Sequence, residues 1–234
     1  MNSLEDHLEE YLKDLKATLC SKIEVGSLIS RNSVAHKWKA TFRSIVIREA
    51  IAWRAQDLLN QSLVLHKTQH SLGARILLRS ALETIAILIY LNQLTRKVVS
   101  GSLNFHEFSN KTSILLLGSR DYTTKHKAIN IVTVLQKYNS RYPRMESLYA
   151  ILSESAHPNF EGICSGYTTI DKDNLSTNFS NKWTRMYGDT HPSSIELCVS
   201  VFSYEYNNEW KSAYEKLELW IEKNDSILEA TKQT

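Results

Sequence analysis

The chain has 234 residues, with 28 Lys plus Arg against 25 Asp plus Glu, and 42% of it is hydrophobic. That length and apolar content suffice for a packed core, and a formal charge of +3 is far from the basic excess that by itself announces nucleic acid. Seven Gly and three Pro argue against a Gly-rich nucleotide-binding fold, a turn-rich β-sandwich, and collagenous or low-complexity sequence.

Helical periodicity dominates from the start. Ser3 and Asp6 have capping-box spacing, and Leu4, Leu8, Tyr11, Leu12, Leu15 and Leu19 then recur at helical intervals. Gly26 punctuates the chain, and Asn32 or Ser33 can cap a second helix whose stripe runs from Val34 through Trp38, Phe42 and Trp53 to Leu59. The pattern predicts a third long helix from about Thr68 to Val99. Its Ile76–Leu91 stretch is apolar on nearly every face, which marks the central helix of a bundle. Further helices are predicted over 104–117, ended by Gly118, and over Ala128 to Tyr138, with Ile129, Val132 and Leu135 as the buried stripe. Pro143 suits the first turn of a helix that must stop by Pro158. Residues 159–192, rich in Gly, Ser, Thr, Asn and Asp, read as one long loop with room for a short hairpin around Tyr167 to Ile170. The last helix starts near Ser193 or Ser194 and carries Leu197, Val201, Tyr204, Trp210, Leu217, Trp220 and Ile221. No linker or repeat divides the chain, so the expectation is a single all-α domain over 1–234 with about six or seven helices.

Cys20, Cys164 and Cys198 are far apart and form no Cys-x-x-Cys pair, which predicts reduced thiols and a cytoplasmic location. The acidic start lacks the basic-then-apolar order of a signal peptide, and no stretch is long and apolar enough for a bilayer. No cofactor is expected. His66 and His70, four apart, lack a third ligand, so no metal site is expected either.

Two polar strips stand out. Arg75, Arg79 and Glu83 lie at successive spacings of four on an otherwise apolar helix. Charges in that setting must be paired or must open to a cleft, so an internal Arg79–Glu83 pair and an arginine free to receive an anion both stay open. Tyr149, Ser153 and His157 share the same spacing on the Pro143 helix. A Ser153–His157 contact is geometrically feasible there, but neither the sharp strand-to-helix turn nor the oxyanion site of a serine esterase is visible.

The run Leu78-Arg79-Ser80-Ala81-Leu82-Glu83-Thr84 and the segment Tyr149-Ala150-Ile151-Leu152-Ser153-Glu154-Ser155-Ala156-His157-Pro158-Asn159 resemble an uncharacterised group of bacterial helical proteins of HEPN-like architecture. The resemblance spans about Trp38 to Tyr167. It implies an antiparallel HEPN-like helical bundle that self-associates, and suggests a toxin or antiphage-defence setting; Arg75, Arg79, Glu83, Tyr149, Ser153, His157 and Asn159 are the candidate binding residues, of which Arg79, Glu83 and His157 line the cleft in a ribonuclease. Catalytic HEPN proteins are metal-independent ribonucleases, marked by an Arg, a polar residue, and a His four to six positions after the Arg. Arg31 with His36, Arg120 with His126 and Arg185 with His191 have that spacing. Arg31-Asn32-Ser33-Val34-Ala35-His36 fits best, because Asn follows the Arg and a helix begins there. In that chemistry the histidine shuttles a 2′-hydroxyl proton while the arginine holds the phosphate. None of the three pairs falls on the His157 helix. The functional expectation is an RNA-binding or RNA-cleaving protein, with RNA and a second copy or a partner protein of the same system as partners and no membrane. A non-catalytic interaction subunit and a small-anion sensor are the alternatives.

Overall fold

The structure, a computed structural model, describes residues 3–121, 123–136 and 141–232. In chain order the helices are α1 (Leu4–Thr18), α2 (Val25–Arg31), α3 (Ser33–His36), α4 (Lys39–Lys67), α5 (Ser71–Val99), α6 (Phe105–Leu117), α7 (Ile131–Gln136), α8 (Pro143–Ala156), α9 (Trp183–Tyr187), α10 (His191–Tyr204) and α11 (Trp210–Ala230). An antiparallel hairpin of β1 (Thr168–Asp171) and β2 (Ser176–Phe179) is the one sheet among the described residues. The chain is thus mostly helical, as the periodicity predicts. Among the described residues, no helix is long and apolar enough to cross a membrane.

Local signals set most helix ends. Asp6 and Ser3 reciprocally satisfy each other's backbone N–H at the start of α1. The Asn32 side chain accepts from Ala35 N at the head of α3, and Asn104 accepts from His106 N and Glu107 N at the head of α6. Pro143 opens α8, which stops one residue before His157. The expected second helix does start after its Asn32 cap but is broken into α3 and α4, and an unexpected α2 precedes it, with Gly26 inside that helix rather than between helices. The third begins at Ser71, because Gln69 takes a left-handed backbone (φ 61°) that ends α4. In α7 it is Val134 and Leu135 that are buried, whereas Val132 is exposed; Tyr138, at the end of that expected helix, lies outside the described residues.

The largest departure is the segment expected as a loop. The short hairpin expected there is present as β1 and β2, but the segment also holds a π turn (Phe160–Ser165), α9 and a 3₁₀ turn (Gly188–Thr190). Two glycines permit it by close approach. A Cβ on Gly162 would stand 2.0 Å from the His157 carbonyl oxygen, and one on Gly166 would stand 2.6 Å from the Trp183 indole. The expected last helix is α10 and α11 joined through a π segment (Glu205–Glu209).

The residues group into two compact units. One comprises the described residues within 1–18, 54–84 and 135–201, and the other those within 19–53, 85–134 and 202–234. Each is discontinuous in sequence, which is why no linker shows. The first unit buries Leu12, Leu59, Leu63, Leu78, Leu82, Leu152 and Trp183, and the second Ile85, Leu88, Ile89, Leu91, Phe108, Phe202 and Leu217. Burying each such side chain is worth about 1.5–3 kcal/mol.

Candidate functional site

In the first unit, α5 offers its arginines to α8. Arg79 donates from Nε to Ser153 Oγ (3.0 Å) and from a terminal nitrogen to Tyr149 Oη (3.0 Å), and pairs with Glu83 at 3.2 Å. Arg75, four residues earlier and only 3% exposed, uses a different set of partners. Its Nε donates to Ser155 Oγ (2.8 Å), a terminal nitrogen donates to the Ile151 carbonyl (3.3 Å), and the guanidinium lies 3.6 Å over the Tyr187 ring. Glu161 completes the cluster by accepting from Ser155 Oγ (3.0 Å) and Tyr187 Oη (2.8 Å). Burial pulls the Arg75 pKa down and pushes the Tyr187 phenol up. Tyr149 and Ser153 therefore meet on Arg79, but His157 does not join them. The helix has ended, His157 is exposed with extended backbone, and its ring makes no hydrogen bond among the described residues. Asn159 accepts from Gly162 N (3.0 Å) and donates to Glu154, so it caps the π turn.

In the second unit, Arg31 and His36 meet on one carboxylate. Glu218 of α11 accepts from Arg31 (2.6 Å) on one oxygen and from His36 Nε2 (2.9 Å) on the other. The His36 side chain is 1% exposed, and its Nδ1 is buried with no partner among the described residues. A stacked ladder continues from there. Tyr214 lies 6.4 Å from the His36 ring and stacks on Trp210 at 4.4 Å, and Arg48 is held between the rings of Trp210 and Tyr206. Tyr206 donates to Glu49 (2.8 Å), which also pairs with Arg48. Burial raises the pKa of both tyrosines, so they serve as neutral donors.

The other Arg–His spacings do not converge in the same way. Arg185 is exposed, whereas His191 is 1% exposed and bonded at 3.0 Å to Ser62. Burial, with the charges of His66 and Arg75, lowers the His191 pKa to about 3. His126 uses its backbone carbonyl to hold Ser119 N (2.8 Å) in the turn after α6, and Arg120 is exposed. His66 pairs with Glu5 (3.1 Å) and His70 with Thr68 (3.1 Å), and no group of three or more His, Cys, Asp or Glu among the described residues could hold a metal ion.

Glu218, Glu161, Tyr187 and Tyr206 are the participants that no sequence motif singled out. The spacing of four along Tyr206, Trp210, Tyr214 and Glu218 was a usable signal. So was a carboxylate beside Leu217 and Ile221, where an apolar stripe leaves no room for an unpaired charge.

A further surface is apolar. The register Thr168↔Phe179 and Ile170↔Thr177 puts Thr168, Ile170, Thr177 and Phe179 on one face of the hairpin, and Thr169, Asp171, Ser176 and Asn178 on the other. Ile170 is 70% and Phe179 78% exposed. No family model, curated protein or solved structure matches the chain.

Proposed function

We propose that the chain is a non-catalytic interaction subunit, a helical scaffold that presents its 160–179 excursion to another protein chain. The observation that carries this reading is the exposed apolar face of the hairpin, with Ile170 70% and Phe179 78% exposed. Arg75 is buried and bonded to α8, and Arg79 is engaged by Ser153, Tyr149 and Glu83. The HEPN-like ribonuclease reading draws support from the meeting of Arg31 and His36. However, general acid–base chemistry needs an imidazole within reach of the proton it moves, and Glu218 holds this one in the interior.

The test has two arms. Purified protein is incubated with RNA in EDTA, where neither the wild type nor His36→Ala should cleave. In cells, the wild-type chain should be recovered in a defined assembly that Ile170→Lys depletes without lowering the melting temperature. Metal-independent cleavage that disappears in His36→Ala would overturn the proposal.

A further inference from the structure

Within the first unit, the opening turns of α8 and α10 line one groove of about 430 Å³. Sites for small organic ligands run from about 300 to 1,000 Å³. The apolar lining is Pro143, Leu148 and Ile151 from α8 and Leu197 from α10, and Ile151 is left 49% exposed. Arg144 is the one charged residue of the lining among the described residues; the acids nearest in sequence, Glu146, Asp189 and Glu196, stand outside it. An apolar channel with a single guanidinium matches an amphiphile that carries a single negative charge. We propose that this groove binds a small aliphatic carboxylate, its chain along Leu148, Ile151 and Leu197 and its head group on Arg144.

The other polar groups of the lining sort into spent and free donors. Ser147 donates to the Pro143 carbonyl (3.3 Å), Ser194 to the Thr190 carbonyl (3.0 Å) and Thr190 to the Tyr187 carbonyl (3.3 Å). Those hydroxyls have no proton left for an anion. Arg144 and Ser193 are exposed, and neither side chain makes a hydrogen bond or ion pair among the described residues. The donors open to a head group thus stand on both helices, a guanidinium on α8 and a hydroxyl on α10. Arg144 is also the second residue of α8, at the helix end whose partial charge favours an anion.

Charge and size narrow the ligand. A planar carboxylate meets the guanidinium fork with two parallel hydrogen bonds and cancels its one charge, whereas a phosphate monoester leaves a second charge unmatched. From Arg144 to Ile151 the helix advances about 10 Å, the reach of an extended chain of about eight carbons. A partner helix is about 10–12 Å across with its side chains and would need roughly twice the volume of the groove over that length. The occupant is therefore a small molecule rather than a peptide helix. None of these residues belongs to the hairpin, so the groove and the hairpin face are tested separately.

The experiment is isothermal titration calorimetry of the purified full chain with octanoate, with circular dichroism to confirm that the fold persists. Wild type is expected to bind octanoate saturably in the sub-millimolar range. Octylamine, which reverses the charge, and acetate, which lacks the chain, should bind at least about tenfold more weakly. Arg144→Gln and Ile151→Glu, both at exposed positions, should each weaken octanoate at least about tenfold. Lys172→Gln, which removes an exposed cation elsewhere, and Phe179→Ser, on the apolar face of the hairpin, should leave the affinity unchanged. Absence of saturable binding, equal binding of octylamine, or an affinity indifferent to Arg144→Gln overturns the proposal. Binding that is lost in Phe179→Ser and kept in Arg144→Gln belongs to the hairpin and overturns it as well.

Discussion

His36 and Glu218, 182 positions apart in the chain, meet at 2.9 Å in the interior of one unit, and Arg31 takes the second oxygen of the same carboxylate. An ionised carboxylate only accepts, so His36 carries its proton on Nε2, and the acid is held by two donors from α2 and α3. Removing the acid strands a buried donor, while neutralising it keeps the shape. Glu218→Ala is therefore expected to lower unfolding free energy by about 3 kcal/mol and Glu218→Gln by about 1–2 kcal/mol, read from urea denaturation. Equal losses in the two variants would mean that the hydrogen bonds contribute nothing.

Arg75 should not tolerate lysine. Its Nε and one terminal nitrogen reach two acceptors, Ser155 Oγ and the Ile151 carbonyl, while its plane lies over Tyr187. An ammonium has neither the fork nor the flat face. Arg75→Lys is expected to cost about 2 kcal/mol, with altered tyrosine fluorescence from the loss of the Tyr187 contact. A variant as stable as wild type would show that the fork geometry is incidental.

His191 makes the first unit acid-sensitive. Ser62 donates its hydroxyl to the Ala74 carbonyl (2.8 Å), so its oxygen accepts from His191 Nε2, and the buried ring stays neutral with its pKa pushed down to about 3. The unfolded chain takes up this proton near the ordinary histidine value of about 6.5, so below that pH the unfolded state binds more protons than the native one. Stability therefore falls as pH drops from about 6.5 toward 3, by up to about 1.4 kcal/mol per pH unit. His191→Gln keeps a donor and removes the titration. Between pH 7 and about pH 5, the wild type should lose about 2 kcal/mol more than the variant in urea denaturation. Parallel losses would place the acid sensitivity elsewhere.

What was legible in the sequence was local. Ser3 with Asp6, Asn32, Asn104 and Pro143 act on backbone groups within a turn, so their residue types alone place the helix ends. The Arg79–Glu83 pair follows from i,i+4 spacing in the same way. The partners of Arg31, His36 and Arg75 come from other helices and turns: the spacing of four marks Glu218 as sharing a face with Tyr206, Trp210 and Tyr214 but not which residues it meets, and nothing local announces Tyr187. Residues 159–192 misled for another reason. The elements there are only three to six residues long, too short for a period to show, and the close approach of Gly166 to Trp183 is a tertiary fact.

Leu175 combines a left-handed backbone with an almost fully exposed side chain. Relieving a left-handed leucine should stabilise the isolated fold, because asparagine adopts φ near 47° at lower cost and no packed surface is lost at a residue 93% exposed. Leu175→Asn is expected to raise the unfolding free energy of dilute protein by up to about 1 kcal/mol. A drop in the stability of dilute protein would instead show that Leu175 packs on its own chain.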